Sequence, residues 1–405
     1  MRIALVAHTG SPLTVATGHD PAPRAAGVAA HARGLATLGH RVTIYARRDS
    51  RALPGSAILA PRVTVEHVTA GPPAPLNGAD LAANVAEFSD QLAQRWRRNP
   101  PDVIHAYFWT SGLAALAAAR GRGIPLVQTF GTLGVAERRR GSAVDGSDMR
   151  IRLEACLARG ADAVLASTGT EAADLVNMGV ARAAVTVVPR GVDTAEFAPA
   201  GPVAKRGSRP RLLAVVTRLD GQQGLGMLLR MLARVPGAEL LIAGGPARSQ
   251  LGKDEAYRDL TALAGRLGVA DRVCFHGKVA PGGLPALLRS ADLLVSAVPH
   301  EGAGAVALAA MACGTPVAAP AAGACADAVL DGTTGVLIPH GRPELFARRV
   351  RELLASPLRL EAFGIAAADR ATARYTWDRI SLETLAAYER CLQPAAANLA
   401  GAGPG

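Results

Sequence analysis

The sequence predicts an α/β protein made of two successive doubly wound, Rossmann-like domains. Two observations carry this. Short apolar runs alternate with segments of helical spacing from residue 1 onward, and the same pattern restarts at Arg211. Between the two series lies Ala198–Pro210 (APAGPVAKRGSRP), polar and rich in proline and glycine, which is linker composition. The expected division is a first domain over 1–197, a linker over 198–210 and a second domain over 211–374, with a disordered Ala/Gly/Pro tail at 394–405.

Taken in order, Ile3–Ala7 reads as the first strand, followed by a polar turn and a Gly/Pro-bearing loop over 13–24. Val28–Leu38 has helical spacing and stops at Gly39, and Arg41–Ala46 is the next strand, completing a βαβ unit. Val63–Val68 is a strand, Leu81–Arg98 a long helix with an arginine-rich end, and Asp102–Ala106 a strand leading through an aromatic turn into the helix Ser111–Ala119. Pro125–Phe130 is a strand, 131–148 a polar loop carrying Arg138, Arg139 and Arg140, and Ile151–Arg159 a helix. The second series begins with the strand Arg211–Thr217, the helix Gly226–Val235 and the strand Ala238–Ala243 ending in Gly244-Gly245. It continues to the buried strand Leu293–Ser296, and its last helices run from about Leu358 to Leu392.

Of the 405 residues, 49% are hydrophobic, 19% charged and 4% aromatic, which excludes a disordered chain. The net charge of +11 is almost all arginine; Lys205, Lys253 and Lys278 are the only lysines. A basic balance suits phosphorylated ligands or an anionic membrane face, but no basic stripe with interleaved aromatics points to nucleic acid. It also suits a GC-rich genome that writes its surfaces in arginine. The five cysteines form no C-x-x-C pair, so neither zinc nor a disulfide framework is indicated, and a reducing cytoplasm is the expected location. No charge-free apolar run has membrane-spanning length.

One stretch stands out for chemistry. In His300–Val317 (HEGAGAVALAAMACGTPV) the carboxylate of Glu301 is followed by Gly302-Ala303-Gly304 and a helical run, Ala305–Cys313, stopped by Gly314. Strand, glycine-bearing loop and helix aim unpaired N–H groups and a positive helix end at one point, which is an anion site suited to a diphosphate. Gly304, Ala305 and Val306 are then the backbone donors. Plain packing of a small-residue helix produces the same pattern.

With these landmarks the chain resembles the retaining glycosyltransferases of family 4, which have the GT-B fold. The resemblance runs from residue 1 to about 392. It rests on Val188–Asp193 (VPRGVD), Thr217-Arg218-Leu219, Ile242–Gly245 (IAGG), Glu301 through Gly314–Val317, and Tyr375-Thr376-Trp377, in this order and spacing. It implies two domains facing a central cleft, a last helix (375–393) crossing back to complete the first domain, and a nucleotide-diphosphate sugar held mainly by the second. It also implies an Arg and a Lys five residues apart on the diphosphate, two Glu eight apart on sugar and ribose, a first-domain His near the reacting carbon, and a Gly pair in the first long loop. Arg218 falls on the first cation position and Glu301 on the first carboxylate position, so these two are the expected catalytic residues. No metal or other cofactor is implied.

The remaining positions depart from the pattern. The Lys position falls at Gln223 and the second Glu position at Ala309; the turn His falls at Tyr107, with His105 two residues earlier. The Gly pair falls at Ala22-Pro23, and a further His position at Gly131. Gln223 donates a hydrogen bond but carries no charge, Ala309 cannot hold a ribose, and Pro23 removes an N–H. His300, beside Glu301, and Arg138–Arg140 are secondary candidates, the latter for an acidic acceptor or a membrane surface. Two readings follow: a glycosyltransferase of weakened activity acting on an acceptor the sequence does not name, or a non-catalytic member of the fold that partners another glycosyltransferase.

Overall fold

The computed structural model describes residues 1–13, 23–76, 78–139, 141, 147–220, 224–297, 301–339 and 341–393, leaving aside the side chains of 23, 24, 79 and 301–303. Gln223, His300, Ala22, Arg140 and the tail from 394 lie outside the described residues. The chain forms two compact units, one of Met1–Arg190 with Trp377–Gly405, the other of Gly191–Thr376.

The first unit runs β1 (Arg2–Ala7), α1 (Pro23–Thr37), β2 (Arg41–Arg47), β3 (Ser56–Ala60), β4 (Val63–Val68), α2 (Gly78–Ala83), α3 (Val85–Arg98), β5 (Val103–Tyr107), α4 (Trp109–Ala119), β6 (Leu126–Thr129), α5 (Gly134–Arg139), α6 (Asp148–Gly160), β7 (Ala163–Ala166), α7 (Gly169–Asn177) and β8 (Val185–Val187). Its sheet has the order β3-β4-β2-β1-β5-β6-β7-β8 and is parallel except for the edge hairpin β3–β4. Side chains alternate between two buried faces: Ile3, Leu5 and Ala7 pack with α1, while Ala4 and Val6 pack with the layer of α3 and α4.

The second unit runs β9 (Arg211–Val216), α8 (Leu225–Ala233), β10 (Glu239–Gly244), α9 (Glu255–Arg266), β11 (Val273–Gly277), α10 (Leu284–Arg289), β12 (Leu293–Val295), α11 (Glu301–Ala312), β13 (Val317–Pro320), α12 (Gly323–Ala328), β14 (Gly335–Ile338), α13 (Pro343–Leu354) and α14 (Pro357–Arg374). Its parallel sheet has the order β11-β10-β9-β12-β13-β14. The last helix, α15 (Trp377–Leu392), belongs to the first unit, where Ile380, Leu385 and Tyr388 join α1 in one apolar cluster. Among the described residues no helix is long and apolar enough to cross a membrane.

Four local expectations change. The helix expected at Leu81–Arg98 is broken at Asn84, whose side-chain amide donates to the Asp80 carbonyl (2.7 Å). The polar loop over 131–148 contains α5. Pro23, expected in the first loop, opens α1, a position where its missing N–H costs nothing. The linker-like Ala198–Pro210 lies wholly within the second unit. Arg289 donates to the carbonyls of Ala198 and Pro202, Ala204 N–H to Ala286, and Arg206 to the Ser290 carbonyl and the Asp292 carboxylate.

Candidate functional site

In a doubly wound sheet, ligands sit beyond the carboxyl ends of the strands where the winding reverses. In the second unit that point lies between β9 and β12, which are hydrogen-bonded neighbours. Thr217–Asp220 follows β9, and α11 follows β12, so Arg218 and the amino end of α11 share this edge. Leu219 is buried (3% exposed) and pins the turn, while the Arg218 side chain stays 68% exposed. The Gly244-Gly245 landmark makes this turn possible. A Cβ on Gly244 would meet the Val216 carbonyl at 1.8 Å, and one on Gly245 would meet Leu219 Cγ at 2.8 Å. Arg218 Nε donates to Asp220 Oδ2 at 2.8 Å. On the β10 side of Arg218 opens a cavity of about 470 Å³, lined by Thr217–Asp220, Gly245, Pro246 and the start of α9, including Asp254, Glu255 and Asp259.

The structure corrects the expected anion loop. α11 begins at Glu301, before the glycines rather than after them. In an i→i−4 ladder the N–H groups of Ala305 and Val306 are spent on the carbonyls of Glu301 and Gly302, so neither is a free donor. The uncommitted N–H groups of the first turn belong to residues 301–303, where the helix dipole is most favourable to an anion. Gly304 has a packing reason instead: a Cβ there would lie 2.3 Å from the Ala324 Cβ of α12. Ala309 is buried (5%) in the apolar cluster formed by α11, α14 and the sheet, so no carboxylate stands at that position.

In the first unit the reversal lies between β1 and β5. Tyr107 ends β5, but its hydroxyl points under α1 and shares a 2.5 Å hydrogen bond with His31 Nδ1. His105 stacks on the Tyr107 ring (4.3 Å between centroids) and is satisfied at both nitrogens, by the Tyr388 hydroxyl (2.7 Å) and Thr129 Oγ1 (2.8 Å). His31 in turn stacks on Trp377 (5.9 Å). Burial lowers the His31 pKa to about 4 and holds His105 well below the ordinary imidazole range; the Tyr107 hydroxyl is pushed up for the same reason. At the end of β1, buried His8 lies against Phe88 (4.6 Å) and is lowered to about 4 by burial and by the Arg47 guanidinium.

The next turn is held tightly. Phe108 takes a left-handed φ of 75°, its carbonyl accepts from Gln128 Nε2 (3.3 Å), and the Arg150 guanidinium lies 5.2 Å from its ring. Arg150 is bound to buried Glu154 (2.7 Å) and to the Thr132 carbonyl (2.6 Å), and Glu154 accepts from Gly134 N–H (2.7 Å). Gly131 takes φ 73°, a conformation a histidine would adopt only with strain. Of the basic run, Arg138 pairs with Asp148 (2.7 Å) and Arg139 with Asp174. The sequence gives no sign of His31 or Tyr388. His31 is a lone histidine on the apolar face of α1, and Tyr388 lies 283 residues from its partner His105.

Comparison with known proteins decides the family. Residues 25–196 match the model of Glycosyltransferase Family 4 and residues 202–370 that of Glycosyl transferases group 1. The D-inositol 3-phosphate glycosyltransferase 2 of Catenulispora acidiphila is 34% identical over 97% of this chain and 95% of its own. The chain belongs to the family 4 glycosyltransferases. The D-inositol 3-phosphate glycosyltransferase of Thermobispora bispora is likewise 34% identical, over 97% and 95% of the two chains. Among solved structures, the glycosyltransferase has the fold of the sucrose-phosphate synthase from Thermosynechococcus elongatus (TM-score 0.84, 24% identity, 96% and 98% covered). Anabaena HepE in complex with UDP-glucose shares it too (TM-score 0.71, 20% identity, 95% and 99% covered). The fold is therefore GT-B.

Proposed function

We propose that this glycosyltransferase moves a sugar from a nucleotide-diphosphate sugar to a hydroxyl acceptor with retention of configuration. The observation that carries the reading is Arg218, exposed at the end of β9 on the same sheet edge as the amino end of α11. As the glycosidic bond breaks, the diphosphate gains negative charge. A guanidinium and a helix end already in place stabilise that charge without reorganising. Glu301, the first residue of α11, is the proposed contact to the sugar, since an ionised carboxylate only accepts hydrogen bonds. Gln223 is the proposed neutral contact at the second diphosphate position. The names of the relatives support a polyol phosphate as acceptor, and the HepE complex supports a UDP-linked donor.

Ala309 favours a second reading, a non-catalytic protein that partners another glycosyltransferase, because a buried alanine stands where the family resemblance expects a ribose-binding carboxylate. Thermal unfolding with millimolar UDP, GDP and ADP, and then the matching sugar nucleotides, separates the two. A nucleotide at about 100 times its Kd adds about 2.7 kcal/mol to the folded state. The donor-site reading expects one nucleotide to raise Tm, Arg218→Ala to abolish the rise, and the matching sugar nucleotide to be consumed. No rise with any nucleotide overturns it in favour of the second reading.

A further inference from the structure

We propose that Asp220 is a positioning residue for Arg218, fixing the guanidinium so that its outer face meets the diphosphate; this rests on the donor-site reading above. Arg218 Nε donates to Asp220 Oδ2 at 2.8 Å, leaving both Nη groups, which point away from the stem, to form a fork. The two side chains flank Leu219, whose burial fixes the backbone of the turn, so the pair rises from a rigid base. Stability does not account for the pair. Its members are 68% and 36% exposed, and exposed ion pairs contribute little.

The surroundings show why an anchor is needed. The cavity lined by Arg218 and Asp220 is also lined by Asp254, Glu255 and Asp259. Asp254 is already engaged in capping α9, accepting from Tyr257 N–H at 2.9 Å. Glu255 and Asp259 are exposed and face the same space. A long arginine stem is flexible, and an unanchored guanidinium would be drawn toward that acidic wall. The 2.8 Å bond from Nε to Asp220 holds it back at the end of β9.

The test is a binding cycle on the full chain. Kd values for UDP, GDP and ADP are measured by calorimetry for the parent, Arg218→Ala, Arg218→Lys, Asp220→Ala, Asp220→Asn and Arg218→Lys/Asp220→Ala. The expected result is a five- to tenfold weaker Kd in Asp220→Ala, the loss of one charge-assisted hydrogen bond. Asp220→Asn loses less, because its amide oxygen still accepts from Nε. Lysine has no Nε–H to hold, so Asp220→Ala adds nothing in the Arg218→Lys background. Urea midpoints without ligand stay the same for both Asp220 variants, which a merely structural role would not allow. Binding unchanged or tightened in Asp220→Ala, with Arg218→Ala still abolishing it, overturns the positioning role and leaves the donor site standing. Binding that survives Arg218→Ala, or no binding by the parent, overturns the donor-site reading and this role with it.

Discussion

Gly304→Ala distinguishes a glycine kept for packing from one kept for a ligand. Inside a helix, glycine to alanine stabilises by about 1 kcal/mol through propensity alone. Against this stands the Ala324 Cβ, 2.3 Å from where the new methyl would be, more than 1 Å inside ordinary contact. The colliding atom is bonded directly to the α12 backbone, so no rotamer change relieves it, and α11 and α12 must separate. Overpacking of this kind costs about 1–3 kcal/mol, which leaves a net effect between about zero and a loss of about 2 kcal/mol. Urea unfolding followed by a probe in the second unit measures it, because a two-unit chain has no single unfolding free energy. In a double-mutant cycle Ala324→Gly removes the colliding atom and should restore most of the loss. A Gly304→Ala protein more stable than its parent, with no coupling to Ala324, would refute the packing account.

Two further outcomes follow from buried charge chemistry. His8 and His31 have folded pKa values of about 4 against about 6.5 unfolded, and His105 is also lowered, so the unfolded chain takes up protons first as pH falls. Their contribution is present in full above about pH 6.5 and is lost between about 6.5 and 4, about 3 kcal/mol for each of the first two at pH 4. Urea midpoints across that window should fall, and His31→Leu should flatten the slope; a pH-independent midpoint counts against neutral burial. Arg150→Met leaves Glu154 charged and buried, and should destabilise the first unit by about 3–5 kcal/mol in urea unfolding, whereas Arg150→Met/Glu154→Leu should recover most of that.

How legible the fold was depended on burial. Ile3–Ala7 and Arg211–Thr217 stood out because both faces of a parallel strand are covered, which writes a continuous apolar run. β3 went unread because it is an edge strand with Ile58 83% exposed, so its pattern has no core face to report. The start of α11 was misplaced for a different reason. Gly302 and Gly304 are weak helix formers, and local propensity was overridden by the need for α12 to approach closely. Arg218 was placed at a strand end by a spaced set of landmarks, and it does follow β9 directly after Thr217. The His31–Tyr107 bond was not legible, because it joins α1 to the end of β5 across 76 residues and nothing local marks either partner.

The positions expected to depart from the family pattern differ in what holds them. Ala309 and Tyr107 are tied into packing. A carboxylate at 309 would enter an apolar cluster with no partner, at a cost of several kcal/mol, and Tyr107 is bonded beneath α1. Neither is a neutral surface change, and each has a structural reason to stay as it is. Arg218 is the opposite case. Its side chain buries little, its ion pair is too exposed to stabilise the fold much, and it stands at the edge where the second sheet reverses, shared with a helix end that favours anions. Packing explains Ala309 and Tyr107 and does not explain Arg218, and that contrast is the physical ground for seeking the diphosphate at Arg218.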